Sequence, residues 1–299
     1  ELLPNGALRE PIAAAWSAQR TASSVDFEHQ HRHLRARIVR AGDDVVVLVL
    51  HDLTEIKRLE AARRDFMAAV SHEFKTPLTS ILGFTETLLA EGVLADPANA
   101  RTFVERIGRH ADRLASLVKD VLTLSRLEQG AWPLRPVACD LIDVANEVVA
   151  EFAAVAETAT VSLTLDAPRS VPLRTDPELV RQLVGNLVSN AIRYNRAQGS
   201  VYIRVAARAD GQAVIIVADT GIGIPSEHRE RIFERFYRID SHRSRQTGGT
   251  GLGLAIVKHL LQVLDGTVML HSAADGTRFE VYLRDLSDSD VAGKTAAGT

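Results

Sequence analysis

Along the chain the hydrophobic period switches from 2 to 3.6 and then becomes mixed. Leu34, Ala36 and Ile38 alternate with arginines, and Val45 to Leu50 is a continuous apolar run. Gly42-Asp43-Asp44 lies between them as a turn signal, so the pattern predicts an antiparallel hairpin. Two strands bury too little to stand alone, which makes this segment the end of a larger sheet domain. At His51-Asp52-Leu53-Thr54-Glu55 the period lengthens. Apolar residues then recur at Ile56, Leu59, Phe66, Val70, Phe74, Leu78, Ile81, Thr85 and Leu88, interrupted at Arg63. These steps predict an amphipathic helix, coiled-coil-like at its start, running to about Glu91-Gly92. Asp96-Pro97 offers an N-cap and an N1 proline. Phe103, Ile107, His110, Leu114, Leu117, Val121 and Leu124 follow at alternating steps of four and three, and Gly130 fits the residue that ends a helix. The product is a helical hairpin with open apolar stripes, which a dimeric four-helix bundle would close.

Trp132-Pro133 and Arg135-Pro136 mark a linker. Beyond it we expect a short strand near Val137, a helix over 141–157, and strands near 161–165 and 171–174. A helix capped by Asp176-Pro177 runs to about Arg193, and strands at 201–207 and 213–218 follow. A Gly- and Arg-rich loop over 221–249, a helix over 251–264 and a hairpin over 267–283 complete an α+β sandwich with helices on one sheet face. The expected domains are a sheet segment at 1–52, the hairpin at 53–130, a linker at 131–137, the sandwich at 138–285 and a disordered tail at 286–299. Residues 1–25 are weakly patterned.

Composition narrows the class. The chain has 299 residues, 46% hydrophobic and 24% charged, enough for two domains and a fragment of a third. A net charge of −3 argues against a nucleic-acid partner. Cys139 is the only cysteine, which excludes a disulfide framework and a thiolate metal site and suits a reducing cytosol. No apolar run approaches the roughly 18–20 residues of a membrane span. The chain starts at Glu1 without methionine or signal peptide, so it reads as a piece of a longer protein whose membrane anchor would lie in the missing N-terminal part. His29, His31 and His33 would share one face of an extended strand; a polar strand face is favoured over a metal site.

Candidate chemistry starts at Ser71-His72-Glu73-Phe74-Lys75-Thr76-Pro77. His72 is two residues from both Val70 and Phe74, about 200° away on a helical wheel, so it points outward. Glu73 can accept a hydrogen bond from imidazole Nδ1–H and make Nε2 a better nucleophile. Pro77 removes the N–H that would bond the Glu73 carbonyl and weakens the helix one turn later. Asn186, Asn190 and Arg193 fall on one helix face ahead of Tyr194. Their amide oxygens suit Mg²⁺ and the cation suits phosphate, although a plain polar helix surface reads equally well.

Asp219 ends an apolar strand ahead of Gly221 and Gly223, where a carboxylate can accept the 6-amino hydrogen of adenine. Gly249-Thr250-Gly251-Leu252-Gly253 opens a helix and offers free N–H groups to a triphosphate. Between these loops the aromatics of Ile232–Arg238 could anchor a lid, with Arg238 reaching the γ-phosphate. Gly276-Thr277 would close the pocket floor.

Together these motifs resemble those of sensor histidine kinases of two-component systems. VSHEFKTPL is similar to the H-box, NLVSNAIRY to the N-box, DTGIGI to the G1 box, IFERFYR to the F-box and GTGLGLAI to the G2 box, in matching order and spacing over about residues 52–285. The layout is similar to phosphate-regulon-type sensor kinases. The resemblance implies a dimeric hairpin joined to a Bergerat-type ATP-binding domain. It implies His72 as phosphoacceptor, Glu73 as acid/base, Asn190 as Mg²⁺ ligand and Asp219 as adenine partner. Thr76 completes an E-x-x-T pattern linked in the family to dephosphorylating the partner, a response regulator. Arg193 stands where lysine is usual, and Ala274-Asp275-Gly276-Thr277 retains one glycine of the last box. The Asp52-Leu53-Thr54-Glu55 junction resembles the exit of a PAS sensory domain, here truncated.

The expected activity is therefore ATP-dependent phosphorylation of His72 and transfer to a regulator aspartate, in the cytoplasmic portion of an inner-membrane sensor. A chaperone- or topoisomerase-type ATPase would share the glycine loops but lack the hairpin. A non-catalytic scaffold would have no use for Asn190 and Asp219.

Overall fold

The computed structural model describes residues 6–17, 22–41, 45–90, 96–130, 132–239 and 249–286. It divides into two compact units, Glu1–His72 and Glu73–Thr299. In the first, α1 (Arg9–Trp16) precedes three antiparallel strands, β1 (Ala22–His29), β2 (Arg32–Arg40) and β3 (Val46–Asp52), in spatial order β1-β2-β3. The alternation read from the sequence is realised. Ala36 and Ile38 are fully buried with Leu8 and Ala15, and Val25, Phe27, Val46 and Leu48 pack around them. Helix α1 and strand β1 occupy the stretch that showed little pattern; α1 is one short helix of eight residues without a side-chain cap, so it carries few of the signals that mark a helix.

One expectation is corrected here. Gln30 and His31 have φ of 48° and 62° and close a two-residue hairpin loop, as a turn between right-twisted strands requires. His29 pairs with Arg32 and Glu28 with His33, so the three histidines do not share a strand face. The Gly42–Asp44 turn lies outside the described residues, as does the expected tail beyond 286.

The end of this sheet is stitched to the next helix, α2 (Thr54–Leu89). Asp52 Oδ1 accepts the Thr54 N–H at 2.9 Å, and Thr54 Oγ1 accepts the His33 N–H at 2.9 Å. Hydrogen bonds from the Thr54 hydroxyl and from its N–H hold the Asp52 carboxyl below the usual carboxylate range. Helix α2 runs for 36 residues with Pro77 in its interior.

In the second unit the remainder of α2 meets α3 (Pro97–Glu128). The Asp96 side chain caps α3 by accepting from the N–H groups of Ala98 and Asn99, and Gly130 ends it at φ 61°. Phe84 stacks at 5.9 Å from Phe103 and 5.8 Å from His110, with Arg106 over its ring. Leu78, Leu82, Leu89, Val104 and Leu122 remain half or more exposed on this hairpin.

The sandwich follows: β4 (Val137–Asp140), α4 (Leu141–Thr158), β5 (Ser162–Asp166), β6 (Pro172–Thr175), α5 (Pro177–Arg193), β7 (Ser200–Ala207), β8 (Ala213–Asp219), α6 (Gly253–Leu264), β9 (Thr267–Ala273) and β10 (Gly276–Leu283). Five strands form one sheet in the order β5-β7-β8-β10-β9, and β4 pairs with β6 separately. The buried residues of β7, β8 and β10 (Val201, Ile203, Val205, Ile215, Val217, Phe279 and Val281) alternate with exposed or half-buried ones and form a core with the apolar faces of α4, α5 and α6.

Asp176 ties this domain together. Its Oδ1 caps α5 by accepting from Glu178 and Leu179, while Oδ2 accepts the Arg135 N–H at 3.0 Å, pinning the proline-rich segment to the domain. The carboxylate is 5% exposed, so its removal strands three backbone donors. Asp176→Ala is expected to cost about 2 kcal/mol, read from the urea midpoint, and Asp176→Asn less. An alanine variant as stable as the parent would show that the cap contributes nothing.

Candidate functional site

Helix α5 has two unlike faces. Leu179, Val180, Leu183, Val184, Leu187, Val188, Ala191 and Ile192 are buried against the sheet. Asn186, Asn190 and Arg193 stand on the other side at helical spacing and are half-buried. Across from them runs the loop Gly249–Gly253. A Cβ at Gly253 would stand 3.2 Å from Asn186 Oδ1 and 3.9 Å from Asn190 Nδ2, and one at Gly249 would stand 3.0 Å from Arg193 Nη1. The amide row therefore faces bare backbone, with no side chain of Gly249 or Gly253 to crowd it. Asn186 Nδ2 donates to the Gln182 carbonyl at 3.0 Å, which turns Oδ1 outward as an acceptor. The amide oxygens, with this cradle beside them, fit a small hard cation held together with phosphate oxygens.

The loop itself is built for anions. Gly251 takes φ 75°, and its carbonyl accepts the Phe236 N–H at 2.9 Å. Leu252 N–H donates to Thr250 Oγ1 at 3.2 Å, and α6 then starts at Gly253 with no side-chain cap. First-turn N–H groups of a helix without such a cap favour an anionic partner. Phe236 has φ 60°, unusual for a bulky residue, and its N–H ties the aromatic segment to the loop. Tyr237 is fixed beside it by a 2.6 Å contact with His228 Nδ1 and by Arg231 over its ring at 4.3 Å. Residues 240–248 lie outside the described residues.

The second wall is the end of β8. Asp219 Oδ1 accepts from Gly221 N–H at 2.8 Å and Thr277 N–H at 3.3 Å, and burial pushes its carboxyl up. Thr277 is opposite Asp219 in the β8–β10 register, which sets the last glycine-threonine pair beside that carboxylate. Tyr194 closes α5, and its carbonyl accepts the Ile222 N–H at 3.2 Å, joining the amide-bearing helix to the Asp219 loop. Sequence reasoning missed Ser272, whose Oγ accepts the Ile224 N–H at 2.7 Å, and Arg229, which donates to the carbonyls of Ile224 and Ser272. A lone serine in a strand gave no signal for that role.

On the hairpin, His72 is exposed on α2 and Thr76 half-buried one turn on. Glu73 Oε2 accepts from Arg113 Nη2 on α3 at 2.9 Å, with side chains only 20% and 10% exposed, and Arg238 Nη1 lies 4.0 Å from the same oxygen. The structure thus brings Arg238 to Glu73. Burial lowers the Arg238 pKa, with the Glu73 charge opposing that shift. Further along α3, Asp120 Oδ2 accepts from Thr250 Oγ1 at 2.7 Å, and Glu128 meets Arg235 at 2.7 Å and His259 at 3.6 Å. None of these acidic contacts was anticipated; the available signal was a set of charges beside the apolar seam of α3.

Residues 175–287 match the model of the family described as histidine kinase-, DNA gyrase B-, and HSP90-like ATPase. Residues 62–130 match the His Kinase A (phospho-acceptor) domain. The chain is 40% identical over 262 residues to the sensor-like histidine kinase SenX3 of Mycolicibacterium smegmatis, covering 86% of this chain and 67% of that protein. It is 39% identical over 237 residues to the phosphate regulon sensor protein PhoR of Pseudomonas aeruginosa, covering 78% and 52%. Among solved structures it superposes on full-length ShkA in complex with AMPPNP, with a TM-score of 0.54 and 29% identity over 72% of this chain and 44% of that one.

The loop after β8 leaves no room for a side chain. Gly223 has φ 69°, and a Cβ there would sit 1.7 Å from the Ala273 carbonyl oxygen. Gly223→Ala is expected to cost more than about 2 kcal/mol from left-handed strain and the clash with β9, measured by thermal unfolding. Unchanged stability would mean that the loop is not held as described.

Proposed function

This chain belongs to the sensor histidine kinases, and from that premise we propose that His72 is the residue it phosphorylates with ATP. One observation carries the assignment. The region matching the phospho-acceptor domain holds two histidines, His72 and His110. His72 is exposed, whereas His110 is half-buried against Phe84 with a buried Nδ1, and burial lowers its pKa. The first is the more accessible of the two to a γ-phosphate.

In this reading Asp219 accepts from the adenine amino group, and burial of the carboxylate favours that directional bond over water. Gly221 and Gly223 let the base approach the backbone. Arg193, Thr250 and the N–H groups at the start of α6 receive the triphosphate. Asn190, helped by Asn186, would hold Mg²⁺, which when bound neutralises phosphate charge. His72 attacks the γ-phosphorus with the Nε2 lone pair as the bond to the bridging oxygen of ADP breaks. The Nδ1 proton of the resulting imidazolium passes to Glu73, leaving neutral phosphohistidine. Arg113 and Arg238 orient the Glu73 carboxylate.

We assign 53–130 to the dimerisation and phosphotransfer hairpin, 131–137 to a linker and 138–285 to the ATP-binding domain, with 1–52 as a PAS-like sensory segment. The exposed Leu78, Leu82, Val104 and Leu122 support a homodimer through the hairpin, since burying such a stripe is the main gain available to it. The phosphoryl group then passes to an aspartate of a response regulator. Thr76, four residues from His72 on the same helix face, would orient water for the reverse hydrolysis. No described helix is long and apolar enough to cross a membrane; we place the kinase on the cytosolic side of a membrane-anchored sensor, where ATP and the regulator are found.

With γ-labelled ATP, the parent chain should acquire acid-labile, alkali-stable label and His72→Gln none. Label persisting in that variant would overturn the acceptor assignment. Thr76→Ala should keep autophosphorylation within about twofold and lose about tenfold or more of the dephosphorylation of the phosphorylated regulator. Parallel loss of both activities would deny Thr76 a separate role.

A further inference from the structure

Asp120 sits on α3 three residues after Leu117 and four before Leu124, two residues that are 1% and 0% exposed. It therefore shares the face that packs on the ATP-binding domain, where an aliphatic residue would suit the seam better. Its carboxylate is largely buried, and burial pushes its pKa up against the pull of Thr250, Lys119 and Arg193. Oδ2 accepts the Thr250 hydroxyl at 2.7 Å. Arg193 is half-buried nearby, and the Asp120 charge acts on it. The group that Asp120 engages is thus a hydroxyl that the proposed function gives to the triphosphate.

The chemistry of Thr250 makes these uses exclusive. A hydroxyl has one proton to donate. That proton goes to Asp120, while Thr250 Oγ1 accepts from the Leu252 N–H at 3.2 Å. A phosphate oxygen seeking the same donor must first break the Asp120 bond. A carboxylate oxygen and a phosphate oxygen are both anionic acceptors and compete directly for a hydroxyl. We propose that Asp120 is an internal stand-in for the phosphate: without nucleotide it holds the glycine loop against α3 through Thr250, and ATP must displace it to bind.

Two consequences follow. Competition lowers the apparent affinity for ATP, and bound nucleotide weakens the docking of the ATP domain on α3 by the same factor. Loading and undocking are then one event, and the domain leaves α3 when it carries a phosphoryl group to deliver. The Glu128 contacts with Arg235 and His259 use no group assigned to nucleotide, so they would hold an edge of the domain while the Asp120 contact opens.

The inference rests on the ATP-site reading above, and calorimetry on the full chain separates the two. The probe is a non-hydrolysable ATP analogue with Mg²⁺. Asp120→Asn keeps the shape and a weaker neutral acceptor and should tighten binding about threefold. Asp120→Ala removes the acceptor and should tighten it about tenfold. Equal affinities in the parent and both variants, or weaker binding in the variants, would overturn the latch while leaving the nucleotide site intact. A parent chain that binds no analogue would overturn the nucleotide site and the latch with it. The asparagine variant is nearly isosteric, so the test survives if the alanine variant folds poorly.

Discussion

The site depends on one helix being apolar along one side and polar along the other. Helix α5 buries eight aliphatic side chains against the sheet and packs Gly185 close to Phe152, so its rotation about its own axis is fixed by the core. That rotation puts Asn186, Asn190 and Arg193 in front of the Gly249–Gly253 loop. Everything else at the site is registered to this helix. The Asp219 loop hangs from the Tyr194 carbonyl at its end, and α6 starts beside its amide row. A polar residue on the wrong side of α5 would disturb core and site together, because the same rotation sets both.

The β8 carboxylate is held by a second constraint. Asp219 ends a central strand, is matched by Thr277 in the neighbouring strand, and is largely removed from water. Its Oδ1 is satisfied by two backbone donors. Such a group keeps one orientation, which is what recognition of a flat base edge needs. The rigidity comes from the sheet register, and the close approach of Gly276 to the Asp219 carbonyl maintains it.

Much of this was legible from residue order. The hairpin of α2 and α3 was readable because its apolar steps run over many turns and because Asp96 and Gly130 punctuate it. The helices and strands of the sandwich were readable for the same reason, and the glycine loops because glycine has few uses beside a helix start. What escaped was set by tertiary contact. Helix α1 is too short to carry a period. The histidines at 29, 31 and 33 looked co-facial only if the chain stayed extended, and the left-handed pair Gln30-His31 turns it instead. Asp120, Arg113 and Glu128 are ordinary charges on an amphipathic helix until a neighbour is known. Ser272 became visible only when β9 was placed beside the loop after β8.

The contacts between the helical hairpin and the ATP-binding domain mix two kinds of interaction with different consequences. Leu117, Leu124 and Leu127 are buried and supply attraction that is indifferent to register. Arg238 with Glu73, Thr250 with Asp120 and Arg235 with Glu128 add directional pairs, and these pairs fix the register. Ion pairs of this kind add little net affinity, because each partner loses hydration when they meet. An interface of greasy residues alone would be hard to open once closed, and one of charges alone would not hold. A domain that leaves α3 when nucleotide binds, as proposed above, needs a docking free energy that nucleotide binding can offset, and a short apolar seam with desolvated charges is suited to that.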